Sequence, residues 1–192
     1  MKSITLAGFE RTFASDPDPW RTFQDRDEAL KRAAILHAMG PGPWGRVLEL
    51  AAGNGSNSAA IAPRALRLDA TEATATGTRL VRDAIARHSP RARAIRLTVP
   101  SHLPRSRYDI IVVAELIYYL SSREMNRTAA DVAKALRPGG ALVLVHHHID
   151  FHDFVQHARH LHRAFLAATG CSWRLRPVRR TGRWSVLAAT RL

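Results

Sequence analysis

The chain has 192 residues, 46% of them hydrophobic, with 29 Lys or Arg against 16 Asp or Glu and a formal net charge of +13. That length and apolar content exclude a disordered chain and fit one compact unit with a sizeable core. The single cysteine, Cys171, excludes an intrachain disulfide and fits a reducing, cytoplasmic setting.

The first residues meet Glu10, Arg11 and Asp16 too soon to hold the apolar stretch of a secretion signal, and no apolar run approaches membrane-spanning length, so a soluble protein is expected. The positive charge is nearly all arginine, with Lys2, Lys31 and Lys134 the only lysines. It is scattered, at Arg87, Arg91, Arg93, Arg96, Arg105 and Arg107 and again from Arg174 to Arg183, without regularly interleaved aromatics. A solvated basic surface explains this pattern better than a dedicated nucleic-acid face, although the charge keeps that second reading open.

An arm rich in turn residues, Ser15-Asp16-Pro17-Asp18-Pro19-Trp20, leads into a predicted helix over 24–39 with Ala29, Leu30, Ala33, Ala34 and His37 on one face, ended by Gly40-Pro41-Gly42-Pro43. Residues 1–45 thus read as an arm and helix preceding the main unit, 46–192. A strand is expected at 46–50, a short helix at 57–62, a second strand at 65–68 and a helix at 78–88 that Ser89-Pro90 stops. Residues 94–99 read as a third strand. Residues 108–114, apolar without alternation, read as a buried parallel one. A helix at 122–136 ends in Arg137-Pro138-Gly139-Gly140, a fifth strand covers 141–145, and a helix is expected at 151–168 with Phe151, Phe154, Val155, Ala158, Leu161 and Phe165 on one stripe. The chain closes on a hairpin, 173–178 and 184–192, around Thr181-Gly182. Strands alternating with helices imply an α/β, doubly wound and mostly parallel sheet of seven strands, and the hairpin makes its C-terminal part antiparallel.

The first strand runs into Glu49-Leu50-Ala51-Ala52-Gly53-Asn54-Gly55, and Asp69 lies twenty residues after Glu49, a spacing that suits a nucleoside-binding βαβ unit. A dinucleotide fingerprint needs a third glycine, and Ser58 stands where it would fall, so only part of that pattern is present. Singly, Glu49 and Asp69 could be ordinary strand-end carboxylates; the joint spacing carries the argument.

With Asp69, the Asp109 to Leu120 segment, Arg137-Pro138-Gly139-Gly140 and the hairpin, this layout resembles the class I S-adenosylmethionine-dependent methyltransferases over nearly the whole chain. Asp18-Pro19-Trp20-Arg21 and Val113-Ala114-Glu115-Leu116-Ile117-Tyr118-Tyr119-Leu120 narrow the likeness to the nodulation protein S family, N-methyltransferases acting on an amino sugar at the end of a chitin-type oligosaccharide. The resemblance implies S-adenosyl-L-methionine as cofactor, held by Trp20, Arg21, Glu49, Ala51, Gly53, Gly55, Asp69, Ala70, Val99, Ala114 and Glu115. Gly53 and Gly55 would admit the methionine part, Glu49 would suit its ammonium, and Asp69 would accept from both ribose hydroxyls. Ala51 replaces a loop glycine and is expected to avoid a positive φ. Thr98-Val99-Pro100-Ser101 lacks the carboxylate that often meets adenine, leaving a backbone carbonyl or Ser101 for that contact.

Chemistry is expected where the fourth strand ends. Glu115 is the first candidate to hold an acceptor amine or take its proton, with Tyr118 and Tyr119 either flanking the methyl or serving as core or rim aromatics. In His146-His147-His148 adjacent side chains of an extended segment point apart, so a metal site is poorly posed, and His146 is carried as a base or substrate contact against a solvated loop. Trp20 is either a lid or a staple for the arm. The partner is expected to be a small-molecule acceptor such as an amino sugar or oligosaccharide, with no membrane and a monomer or weak homodimer. O-methylation with a histidine base, RNA modification or binding, and a cofactor-free binding module remain as alternatives.

Overall fold

The computed structural model describes residues 4–150, 154–158 and 160–192. Helix α1 spans Leu6–Ser15 and α2 Arg26–Ala38; β1 follows at Trp44–Leu50, α3 at Ser56–Ile61, β2 at Ala65–Glu72 and α4 at Ala75–Ala84. Then come β3 (Ala92–Arg96), β4 (Tyr108–Ala114), a 3₁₀ turn at Ile117–Tyr119, α5 (Ser122–Ala135) and β5 (Leu136–His147). The chain ends with α6 (Leu161–Ala168), β6 (Trp173–Arg180) and β7 (Trp184–Arg191).

Among the described residues the strands form one seven-stranded sheet in the order β3-β2-β1-β4-β5-β7-β6, parallel from β3 to β5 and antiparallel at β7 and β6. Alternation along the central strands explains its two cores. Val47, Ile110, Val112, Val143 and Val145 face the side covered by α2, α3 and α4. Leu48, Ile111, Val113, Leu142 and Leu144 face the other, with Met125 and Val132 of α5 and Phe165 of α6. Ser121 and Glu124 close a capping box that starts α5 one turn after β4 ends. The carboxyl ends of β1 and β4 lie side by side, where the strand order reverses, and that crevice holds the candidate site.

Several bounds differ from the sequence-based expectations: α4 covers Ala75–Ala84 instead of 78–88, β3 covers Ala92–Arg96 instead of 94–99, and β5 begins at Leu136, so that it includes the Arg137-Pro138-Gly139-Gly140 stretch expected to end a helix; four further differences bear on the site. Helix α1 lies within the arm; Phe13 is its buried residue, so periodicity had little to register there. In α2 the buried positions are Lys31, Ala34, Ile35 and Ala38, while Leu30 is exposed, which rotates the inward face away from the expected one. Strand β2 continues past Leu68 to Glu72, its last five residues all buried although three of them are polar or charged. The helix expected over 151–168 begins only at Leu161, because the amides of Val155 and Gln156 turn to the carbonyl of Tyr118 instead of bonding along a helix; Phe151, His152 and Asp153, with position 159, lie outside the described residues.

Candidate active site

Between β1 and α3 the chain turns through three residues with left-handed backbone, Ala51 (φ +53°), Gly53 (+62°) and Gly55 (+85°). The expectation that alanine at position 51 avoids a positive φ is therefore corrected; the left-handed conformation costs about 1–2 kcal/mol there, and the surrounding turn holds it. At Gly55 a Cβ would come within 2.9 Å of the Val81 Cα and the Ala84 Cβ, so the missing side chain lets α4 pack against the loop. At Gly53 a Cβ would meet only the rim of the Phe13 ring at 3.9 Å, so this peptide opens toward the crevice under α1.

The carboxylate that meets the loop is Glu72, at the last position of β2. It accepts from the Gly53 amide (3.1 Å), the Thr74 amide (2.9 Å) and the Thr74 hydroxyl (2.8 Å). Burial raises its pKa against these hydrogen bonds. Asp69, assigned to this place from spacing, sits three residues earlier, paired with Leu48 in mid-strand. Its buried carboxylate is taken by Arg93 (2.9 Å), Arg105 (2.9 Å) and the Tyr108 hydroxyl (2.9 Å). That assignment is corrected: ending β2 at its first carboxylate made the strand too short. Ala70, fully buried, belongs to the core on the α2 side instead of lining the crevice. Glu49 is buried beside the loop with Ser58 Oγ at 2.5 Å, and burial pushes its pKa up to about 7 against the hydrogen bonds of Ser58 and Asn57.

Glu115 follows β4 with a φ of +52°. Its Oε1 receives Lys31 Nζ (2.7 Å) and His147 Nδ1 (3.0 Å), and its Oε2 receives the Tyr118 hydroxyl (2.5 Å) and the His147 amide (3.2 Å). Although burial alone would raise its pKa, the His147 hydrogen bond and the Lys31 charge hold it well below the carboxylate range. Glu115, expected to hold an acceptor amine or take its proton, is thus tied to Lys31, His147 and Tyr118. Lys31 is itself 5% exposed and also pairs with Glu28 at 2.7 Å; burial pulls its pKa down, and the two glutamates more than offset that. Asp27 fixes α2 nearby by accepting from the Trp184 indole at 2.9 Å.

His146, carried forward as a base, is 2% exposed. Its Nε2 accepts from the amides of Leu116 (3.2 Å) and Ile117 (3.1 Å), and Nδ1 lies 3.0 Å from His162 Nε2. Burial lowers the pKa of both rings, His162 to about 4. Nε2 of His146 therefore braces the turn after β4 while Nδ1 meets His162 of α6, so neither ring nitrogen faces the crevice unpartnered as the expected base would. Among the described residues no group of three or more His, Cys, Asp or Glu could hold a metal ion.

Aromatic rings line the crevice. Tyr118 is buried and stacks on Phe154 at 3.6 Å, while Tyr119 meets Phe9 of α1 edge-on at 5.0 Å. Trp20, 46% exposed, packs against Phe9 and Phe13. Asp18 accepts from the amide and hydroxyl of Thr22 and from Asn54 Nδ2 at 2.8 Å, so the arm is fastened directly to the glycine loop. Glu10 reaches the start of α4, accepting from the Ala75 and Thr76 amides. Exposed Arg21 (φ +53°) forms the bend between arm and α2. Ala114 ends β4 beside the crevice, and half-buried Val99 packs against the α5 side of the core.

Sequence reasoning missed Glu72, Lys31 and His147. A lysine on the 31, 34, 35, 38 stripe of α2 was a readable signal, because an ammonium on an apolar face requires a partner. The pairing of His147 with Glu115 had no local signal.

A glycine turn between a buried carboxylate and an overlying helix, at the reversal point of a sheet in this strand order, is the arrangement of the Rossmann-like methyltransferase fold, and residues 47–140 match the family described as a methyltransferase domain. Within that class the chain resembles nodulation protein S of Rhizobium tropici, 30% identical over 146 residues that cover 69% of this chain and 56% of that protein. The chain thus spans little more than half the length of this curated relative. Of solved structures, the N-methyltransferase NodS of Bradyrhizobium japonicum in complex with S-adenosyl-L-homocysteine superposes with a TM-score of 0.80 at 21% identity, covering 98% of both chains. A putative methyltransferase from Pseudomonas syringae gives 0.73 at 23% identity, over 87% of this chain and all of that one. At these identities the two structures speak for the fold.

Proposed function

We propose that the chain transfers the methyl group of S-adenosyl-L-methionine to the nitrogen of a small amine, with amino sugars and amine-bearing oligosaccharides as the acceptor class. The observation that carries this reading is the meeting of the Gly53 amide with the Glu72 carboxylate in the crevice at the end of β1. The donor set suits the cofactor. Glu72, held by the amides of Gly53, Ala73 and Thr74 and by the Thr74 hydroxyl, would set a carboxylate oxygen against a ribose hydroxyl, the space over Gly53 would admit the methionine part, and Glu49 offers a second carboxyl for an ammonium. The bound cofactor supplies a methyl on a positively charged sulfur, which leaves without help from an acid.

The chain's own residues then have to align the acceptor and keep water out. Tyr119, Phe154, Phe9 and Trp20 give the crevice apolar walls that suit a sugar face, and Tyr118 supplies a hydroxyl anchored on Glu115. Support for nitrogen as the target comes from the resemblance to nodulation protein S. Calorimetric titration with S-adenosyl-L-methionine tests the cofactor half of the proposal, and saturable one-to-one binding is expected. Mass analysis of glucosamine and short chitosan oligomers incubated with labelled cofactor tests the other half; label on nitrogen supports it, and label on oxygen or on RNA overturns it.

A further inference from the structure

We infer that Glu49 carries a proton while the crevice is empty and gives it up to solvent when the ammonium of the cofactor arrives, so that taking up S-adenosyl-L-methionine is coupled to the release of one proton. The inference rests on the cofactor reading above and adds to it the state of the group that meets the amino-acid end. Two carboxyls flank the glycine loop, Glu49 at the penultimate position of β1 and Glu72 at the last position of β2, and they are 1% and 6% exposed. Among the described residues the groups that act on Glu49 are the Ser58 hydroxyl at 2.5 Å, Asn57 and Glu72; no cation is among them, and only Glu72 titrates. A buried carboxylate stays ionised only with a cation or several donors beside it, and two in one neighbourhood repel each other when both are charged.

The donors decide which of the two holds the proton. Glu72 accepts from the amides of Gly53, Ala73 and Thr74 and from the Thr74 hydroxyl, a set that favours the carboxylate. Glu49 has only Ser58 and Asn57, and a hydroxyl accepts from a carboxyl as readily as it donates to a carboxylate, so Ser58 serves either state. Burial, with the Glu72 charge added, outweighs these two contacts and pushes the Glu49 carboxyl up to about 7. Strand alternation puts Glu49 on the same side of the sheet as Val47, under Ser58 of α3. The space over Gly53, whose amide donates to Glu72, is where the methionine part would enter. An ammonium there supplies the cation that neither carboxyl finds within the protein.

In the exchange the O–H bond of the Glu49 carboxyl breaks, its electron pair stays on oxygen, and the proton passes to the buffer. The cofactor's ammonium keeps all its hydrogens and pairs with the carboxylate so formed. Because the carboxyl's pKa drops on binding, affinity rises with pH until the empty site is itself ionised. At about pH 8 the cofactor's own α-amino group loses its charge, and affinity should decline again.

The test is calorimetric titration of the full chain with S-adenosyl-L-homocysteine and with S-adenosyl-L-methionine, in pairs of buffers that differ in ionisation heat, which measures the protons exchanged. At about pH 6 close to one proton per site should leave with either ligand, and Kd should fall about tenfold between about pH 5 and about pH 6. Glu49→Gln should release none and bind with an affinity that is constant over that range. Infrared difference spectra of the wild-type chain need no variant to fold: as S-adenosyl-L-homocysteine is added at about pH 6, a buried protonated carboxyl band should vanish and a carboxylate band appear. Four results overturn the inference and leave the cofactor reading standing: wild-type binding without proton release, a proton that Glu49→Gln still releases, no protonated carboxyl band in the empty protein, or release with S-adenosyl-L-methionine alone, which traces it to the sulfonium. Should the wild-type chain bind neither ligand, both fall together.

Discussion

Asp69 and Glu72 lie three residues apart on one strand, and replacing each should give opposite phenotypes. Asp69→Ala leaves the hydroxyl of fully buried Tyr108 without its acceptor, at a cost of about 1–3 kcal/mol. Arg93 and Arg105 are 48% and 36% exposed, so water replaces their partner and each lost ion pair adds only about 0–1 kcal/mol. The sum is about 1–5 kcal/mol, roughly 2–20 °C in Tm for a chain of this length. Cofactor affinity should stay within about threefold of wild type, because the ligand crevice and this cluster share no side chain. Glu72→Gln keeps its volume and weakens the charge-assisted bonds at the loop, so affinity for S-adenosyl-L-methionine should fall about 10- to 100-fold. Urea unfolding and calorimetric titration of both variants read the two effects separately. The reasoning is refuted if Asp69→Ala loses affinity with its urea midpoint unchanged while Glu72→Gln binds normally.

Burial pushes the Glu49 carboxyl up to about 7 from its ordinary 4.5, so the native state holds its proton longer and stability contributed here falls as pH rises from about 4.5 to about 7. Glu49→Gln should remove a drop of about 3 kcal/mol across that window, read by urea unfolding against wild type at each pH. The buried histidine pair slopes the other way: with His162 near 4 instead of 6.5, stability is present above about pH 6.5 and lost as pH falls toward 4, and His162→Leu should flatten that limb. His146→Ala should cost about 2–4 kcal/mol by stranding the amides of Leu116 and Ile117, seen as a lower Tm. Asp18→Ala releases Thr22 and Asn54 together, and limited proteolysis should cut between residues 16 and 23 about tenfold faster.

The central strands were legible from their continuous apolar runs, Ile110 to Ala114 and Ala141 to Val145; Tyr108–Ala114 emerges from sequence with its structural bounds. The end of β2 was not, since Asp69, Thr71 and Glu72 are buried polar groups whose partners come from other elements. Phe154, Val155 and Ala158 recur at helical spacing, yet two amides in this stretch bond to Tyr118 and the helix starts later. The loop glycines and Glu115 were found from local pattern. The partner that holds Glu115 is Lys31, eighty-four positions away in the chain, a contact that periodicity does not encode.

The arginines bear on how copies of this molecule meet. The margin strand β6 exposes Arg174, Arg176, Arg179 and Arg180, breaks its own ladder between Pro177 and Arg179, and contains a proline that cannot donate. At the opposite margin β3 is five residues long and exposes Arg93 and Arg96. Two molecules approaching rim to rim would therefore bring like charge against like charge along strands too short or too irregular to zip together. Much of the surplus of positive charge thus works as a guard against runaway strand pairing, and salt that screens it should make concentrated solutions of the protein more prone to associate.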